Sequence, residues 1–295
     1  IISIIRNKKI LNDYDIIKTN QIYGGHLALI CKFLINKNLI VRSGYEPYLF
    51  SIITKKNIIK KTLYYLNSLI LYQFANKIIT TSFNLKKFIS KKFFINKRKI
   101  ILNSNYIDTQ LFYPNKKKKF NKILMNGRLS KEKNYQFLFE LLKNKKFKID
   151  IIGDGPEKKS LKKIINEKKL DIKLLGKFPN NKLPEIYNRY NFFLIFSKIE
   201  GNPKTLLEAM SCEMLVVGSN VDGINNVIKN NRNGFLVNLE KKSLISCLNK
   251  VHKSNKKLDY LRKRARKLII EKNSLESSIK KEINIYNHLN YNAKS

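Results

Sequence analysis

Two rhythms of apolar and polar residues alternate along this chain. Short apolar runs rich in Ile, Leu, Val and Phe have the length and composition of buried parallel strands. They are Asp15–Thr19, Leu39–Arg42, Lys77–Thr81 and Lys99–Leu102, then Lys122–Asn126, Ile149–Ile152, Ile172–Leu175, Phe192–Phe196, Leu215–Val217 and Gly234–Val237. Between them, apolar residues recur at helical spacing. These patterns predict helices from Gly24-Gly25-His26 to Asn36, over Asn57–Ala75, over Asn84–Lys91 behind Ser82 as N-cap, and from Asn134 to Leu142. Further ones cover Glu157–Glu167, Lys182–Tyr190, Thr205–Met210, a stretch near Asn225–Lys229, and Leu275–Leu289. Ser43-Gly44-Tyr45-Glu46-Pro47 reads as a loop at a strand's carboxyl end. Strand and helix in turn imply βαβ units and parallel sheets.

A length of 295 residues suits two domains. The predicted linker is Tyr113–Phe120, with Pro114 and the run Lys116–Lys119, a solvated hinge. The expected domains are therefore 1–113 and 114–270, followed by a C-terminal helix, 271–295, that returns to the first. In Ser254–Ile270, Leu258, Leu261, Ala265 and Leu268 share a helical face among many basic residues. That stripe is expected to pack on the core; lying on a membrane surface is the alternative.

The chain is organised around Phe192–Val217. A buried strand ends at Ser197, and a polar loop carrying Glu200, Gly201 and Asn202 follows. Pro203 suits a first helical position, and Leu206, Leu207 and Met210 supply the helix's apolar stripe. Ligands of open α/β sheets bind at the carboxyl ends of strands. The segment Gly201, Asn202, Pro203, Lys204, Thr205 lies at such an end and opens a helix, so its free N–H groups and the helix dipole make an anion site. Glu200 and Glu208 flank it. Carboxylates beside a phosphate would repel it, so they are better explained as acceptors for sugar hydroxyls. A second strand-to-helix turn holds Gly127, Arg128 and Lys133, aimed to place positive charge where a departing diphosphate develops negative charge. For each feature the plain alternative is a solvated surface residue, because lysine is abundant everywhere.

The string S-x-x-E-G-x-P-x-x-L-L-E-A-M over Ser197–Met210 resembles the signature of retaining, GT-B fold glycosyltransferases of family 4. G-R-L-x-x-E-K-N over Gly127–Asn134 matches that family's phosphate-binding turn, and N-Y-I-D-T-Q-L-F over Asn105–Phe112 is similar to the segment before its interdomain crossing. The likeness covers Leu102–Val237 in register and Asp15–Ser82 more loosely. It implies two Rossmann-like domains whose parallel sheets face a cleft. It also implies hexosyl transfer from a nucleotide-sugar with retention at the anomeric carbon. Arg128 and Lys133 would clamp the diphosphate, Glu208 would hold the ribose, and Glu200 would hold or orient the donor sugar. Residues Gly201–Thr205 would complete the cradle, and Gly153 and Gly155 would lie near the base. No side chain names the base, so a UDP- or GDP-linked donor fits equally. The family route is front-face attack, with the leaving phosphate as base. The acceptor would be a glycan or lipid-linked glycan, and the work cell-surface polysaccharide or lipopolysaccharide synthesis. Three departures stand out. Tyr106 replaces a glycine, the glycine-rich loop after the first strand is absent, and R-S-G-Y (Arg42–Tyr45) replaces a segment that often carries histidine. His26, at a helix start, is a surface or cap residue or a neutral ring presented to a ligand.

Composition limits what else this chain does. At 43% hydrophobic residues it can build a core. The formal net charge of +39 points to nucleic acid or an anionic membrane, or to drift towards Lys, Ile and Asn. Arg is rare beside Lys, and the aromatics sit in predicted buried elements, so nucleic acid is not an expected partner. A peripheral contact with an anionic membrane remains open. Cys31, Cys212 and Cys247 lack metal-ligand spacing and read as reduced thiols of a cytoplasmic protein. Asp13-Tyr14-Asp15 spells D-x-D but precedes a strand instead of ending one, so no metal or other cofactor is expected. No apolar run approaches the ~20 residues of a membrane span, and no signal peptide is visible. The chain begins Ile1-Ile2, and the first domain is expected to be truncated at its amino terminus. The rivals are a nucleotide-sugar epimerase of the same fold and a basic nucleic-acid-binding protein.

Overall fold

The computed structural model describes residues 6–115, 120–253 and 258–294. The chain divides into two compact units. Unit 1 runs to Asn105 and resumes at Ser278; unit 2 is Tyr106–Ser277.

Unit 1 holds a parallel sheet in the order β1 (Ile16–Thr19), β2 (Asn38–Ser43), β3 (Lys77–Thr80), β4 (Ile100–Leu102). Its helices are α1 (Lys8–Asn12), α2 (Gly25–Ile35), α3 (Pro47–Ile53), α4 (Ile58–Phe74), α5 (Phe83–Lys92) and most of α12 (Leu275–Lys294). Side chains alternate across the strands. Leu39, Val41 and Ile78 join Leu71 and Tyr72 of α4 on one face, while Ile40 and Ile79 meet Ile285 and Leu289 of α12 on the other. Ser82 caps α5, its hydroxyl accepting from Leu85 N at 3.2 Å.

Unit 2 is a six-stranded parallel sheet in the order β10-β9-β8-β5-β6-β7. The strands are β5 (Phe120–Asn126), β6 (Ile149–Ile152), β7 (Ile172–Gly176), β8 (Tyr190–Ile195), β9 (Leu215–Ser219) and β10 (Phe235–Val237). The helices are α6 (Tyr135–Leu142), α7 (Lys158–Glu167), α8 (Leu183–Tyr187), α9 (Lys204–Ser211), α10 (Lys241–Lys253) and α11 (Asp259–Asn273). Both faces of the sheet are covered, so its central strands bury apolar side chains on both, as in Ile123–Met125 of β5 and Phe192–Ile195 of β8. Ile123, Met125, Phe192 and Leu194 pack beneath α6, α7 and α10. Leu124, Phe193, Ile195 and Val216 pack beneath α8, α9 and α11. The chain moves outward from β5 to β6 and β7, then returns to lay β8 on the other side of β5. That reversal is the switch point at which open α/β sheets bind ligands.

The structure departs from the sequence pattern in several places. The unit boundaries fall at Asn105–Tyr106 and Ser277–Ser278, several residues from 113 and 270. The reason is that Ile107–Phe112 belongs with unit 2: Ile107 N donates to Asn273 O, Leu275 N donates to Ile107 O, and Phe112 packs edge-on against Tyr187. The run Lys116–Lys119 lies outside the described residues. The stretch near Asn225–Lys229 is a series of turns and not a helix. Helix α3 begins inside the predicted loop, because Glu46 caps it by accepting from Leu49 N at 2.5 Å. Pro203 sits one residue before α9, in extended conformation. Of the predicted stripe, Leu258, Leu261 and Ala265 are buried and Leu268 is half-buried against the core, with Ile269 also inside. Among the described residues no helix is long and apolar enough to cross a membrane.

Candidate active site

At the carboxyl ends of β5, β6 and β7, beside the start of α9, unit 2 opens into a cavity of about 830 Å³. Gly127, Arg128, Gly153, Gly155, Thr205 and Glu208 line it, with Asn126, Asp154, Lys177 and Phe178. The floor is made by loops that interlock through their backbones. Leu129 N donates to Asp154 O, Glu157 N to Leu129 O, and Gly153 N to Gly176 O. Gly153, at φ 140°, would carry a Cβ only 2.0 Å from the carbonyl oxygen of Gly127, and Gly155 one 2.4 Å from that of Leu129. The glycines are there because backbone approaches backbone. Gly127 is not among the glycines that adopt a left-handed φ.

Helix α9 has no side-chain cap, and Leu206 N and Leu207 N turn back to Pro203 O. The N–H groups of Lys204 and Thr205 precede the first helical bond, and Thr205 faces the cavity. Free donors at the positive end of a helix dipole are what an anion requires. Arg128 reaches the same cavity, is exposed, and makes no ion pair among the described residues.

Glu208 is almost wholly buried and is held by a chain of hydrogen bonds. Asn126 Nδ2 donates to Tyr187 Oη at 2.9 Å, and Tyr187 Oη donates to Glu208 Oε2 at 2.9 Å. Burial raises the Glu208 pKa; the Tyr187 hydrogen bond and the charge of Lys204 offset part of that rise. Burial also pushes the Tyr187 phenol well up, with the Glu208 charge adding to it, so Tyr187 keeps its proton and acts as a donor. Glu208 thus presents a carboxylate rim whose other face is fixed from behind.

Lys133 and Glu200 sit together, beside this cavity and not on its wall. Lys133 Nζ donates to Glu200 Oε1 at 2.5 Å, and Ser197 Oγ donates to the same oxygen at 2.7 Å. Lys133 shares a smaller adjoining recess with Asn126 and Ser197. A backbone bond from Lys198 N to Glu132 O ties the two loops together. Gly201, Asn202, Pro203 and Lys204 form the loop between but do not line the cavity. The Lys204 ammonium lies 5.4 Å from the ring centre of Tyr106, the residue that departs from the family's glycine. His26 and the Asp13-Tyr14-Asp15 string are exposed on unit 1. Among the described residues no group of His, Cys, Asp and Glu side chains is arranged to hold a metal ion.

Sequence reasoning missed Asn126, Tyr187, Lys177 and Phe178. The last two follow β7 directly, and the rule that placed Gly153 at the end of β6 would have found them. No periodic signal marks Tyr187, because in sequence it is one more apolar-stripe aromatic.

The family model for glycosyl transferases group 1 matches residues 107–268, more than half of the chain. The chain belongs to this family. Among relatives of this group 1 glycosyl transferase is an uncharacterized 41.2 kDa protein of the cps region of Klebsiella pneumoniae, 29% identical over 78% of this chain and 66% of that one. Another is the Escherichia coli UDP-Gal:alpha-D-GlcNAc-diphosphoundecaprenol alpha-1,3-galactosyltransferase, 26% identical over 92% of this chain and 75% of that one. The chain thus spans about two thirds to three quarters of these relatives' length. Anabaena HepE in complex with UDP superposes with a TM-score of 0.82 at 17% identity, covering 97% of this chain and 82% of that one. Sucrose-phosphate synthase from Thermosynechococcus elongatus superposes with a TM-score of 0.85 at 17% identity, covering 96% and 75%. At such identities the likeness establishes the fold, which is that of the GT-B glycosyltransferases.

Proposed function

We propose that this glycosyl transferase moves a hexose-type sugar from a nucleotide-sugar, with retention, to a glycan or lipid-linked acceptor of cell-surface polysaccharide synthesis. The observation that carries the reading is one cavity holding Arg128, the open start of α9 and the buried carboxylate of Glu208. Its volume of about 830 Å³ falls in the range of small-molecule sites. Arg128 and the N–H groups of α9 take the diphosphate, and Glu208 accepts from the ribose hydroxyls. Lys133 leaves Glu200 to join the diphosphate, which frees Glu200 for donor-sugar hydroxyls. Loss of the diphosphate builds negative charge that these donors stabilise without a proton transfer. In front-face attack the anomeric C–O bond to phosphate breaks, the acceptor oxygen bonds on the same face, and its proton passes to a phosphate oxygen. Unit 2 is the donor domain and unit 1 the acceptor-side domain, and no metal or other cofactor takes part.

The named relatives support a donor of the UDP class and a lipid-linked acceptor: a solved neighbour holds UDP, and the E. coli relative acts on a diphosphoundecaprenol substrate. None of them favours the epimerase or nucleic-acid reading. The test is to incubate the protein with a panel of UDP- and GDP-sugars and a lipid-diphosphate acceptor, and read the product's anomeric proton coupling by NMR. A product with the donor's configuration is expected. An inverted product, or a sugar adduct trapped on a side chain, contradicts the mechanism.

A further inference from the structure

Glu200 is held by more than its ion pair. Its Oε1 accepts two hydrogen bonds, from Lys133 Nζ at 2.5 Å and from Ser197 Oγ at 2.7 Å, while Oε2 accepts none among the described residues. The two donors differ in kind. Lys133 ends a flexible stem, reaches over from another loop and is partly exposed. Ser197 is 1% exposed and follows β8 by two residues. It is itself pinned, because the hydroxyl of Ser219, fully buried at the end of the neighbouring β9, donates to the Ser197 carbonyl at 2.7 Å. A third support lies against the Glu200 peptide. Gly223 holds φ 82°, and a Cβ there would fall 2.3 Å from the Glu200 carbonyl oxygen, so the loop after β9 packs directly on the loop that carries the carboxylate.

These contacts divide the work at one oxygen. When a diphosphate draws Lys133 away, Ser197 alone remains on Oε1. A carboxylate that lost every partner would be free to turn, and ordering it again would cost rotamer entropy. With the hydroxyl in place Oε1 stays bonded and Oε2 is left to accept. We infer that Ser197 is the positioning residue of Glu200, and that with Ser219 and Gly223 it keeps the carboxylate set for the hydroxyls of the donor sugar after the ion pair opens. The inference rests on the proposed donor reading, and extends it from the residues that touch the donor to those that stand behind them.

The experiment is calorimetric titration of the full chain with UDP and GDP, and with UDP-glucose, UDP-galactose, UDP-N-acetylglucosamine and GDP-mannose. The quantity read is the Kd of a nucleotide-sugar divided by the Kd of its own nucleotide. Ser197→Ala should raise that ratio about fivefold or more, with nucleotide affinity close to wild type. Ser219→Ala, which leaves the Ser197 hydroxyl in place, should raise it about twofold. In a Glu200→Ala background, Ser197→Ala should move the ratio no further, an outcome that a merely structural serine would not give. Thermal midpoints show whether the variants fold, and where Ser197→Ala does not, Ser219→Ala in the two backgrounds gives the same reading. A ratio that stays at the wild-type value, a rise that is equal with and without Glu200, or wild type that binds a nucleotide and none of the nucleotide-sugars overturns the inference and leaves the diphosphate site standing. Wild type that binds neither nucleotide nor nucleotide-sugar fails the donor reading, and the inference falls with it.

Discussion

At the residue scale, the site stores two carboxylates in different ways. Glu200 is neutralised by Lys133, so in the absence of a donor the cation is already occupied. Glu200→Gln releases Lys133, and nucleoside-diphosphate affinity should be kept or rise while transfer falls about a hundredfold or more. Separate measurement of binding by calorimetry and of turnover checks this. Glu208 has its pKa raised chiefly by burial. Its ionised form is therefore disfavoured in the free protein, and stability falls as pH rises from the ordinary carboxylate range through the raised value. Hydroxyls donating to the carboxylate reverse that preference. Nucleotide affinity should therefore rise with pH through the same window and then level off. Calorimetry in buffers of differing ionisation enthalpy should detect proton release, absent in Glu208→Gln. Tyr187→Phe removes the donor behind Glu208 and strands Asn126, at about 1–3 kcal/mol of stability. None of these pairings was legible in sequence, since strings fix which residues are near a turn but not which atoms meet across it.

At the element scale, the ten strands and the long helices were legible, because buried parallel strands and two-sided helix packing leave strong patterns. The losses were at short pieces. Helix α3 hangs on one cap by Glu46, and the turns at 222–227 carry apolar residues that bury without a helix. The cradle's backbone interlock was partly legible, through its glycines. The sequence reading placed Gly153 and Gly155 near the base, and the structure adds that loop meets loop there. Gly153→Ala would drive a Cβ into the Gly127 carbonyl at a left-handed φ and should cost roughly 3 kcal/mol or more. Urea unfolding monitored by circular dichroism measures the loss, and nucleotide binding should fall with it.

At the scale of the whole molecule, the two units are stabilised differently against acid. Unit 1 ties its last helix to the sheet through Glu282, which meets Lys18 and, at 3.2 Å, Arg42. Burial pushes this carboxyl up, but hydrogen bonds from Lys18 and Tyr286 and the charges of Lys18 and Arg42 outweigh it, so its pKa lies below the ordinary value. Its contribution is complete above the unfolded carboxylate pKa of about 4.3 and is lost as pH falls through the folded one. Glu282→Gln should cost about 2 kcal/mol near neutral pH, with the difference closing in acid, as urea midpoints against pH would show. The net charge of +39, which drew the nucleic-acid reading, coexists with a paired, partly buried site in unit 2. The claim on which all else depends is that unit 2 binds a nucleoside diphosphate through Arg128, the start of α9 and Glu208. Isothermal titration of the chain with UDP and GDP tests it most directly. Saturable binding of one of them, weakened at least tenfold by Arg128→Ala and by Glu208→Ala in folded protein, is the predicted result. No binding of either, or binding that both substitutions leave unchanged, would contradict it.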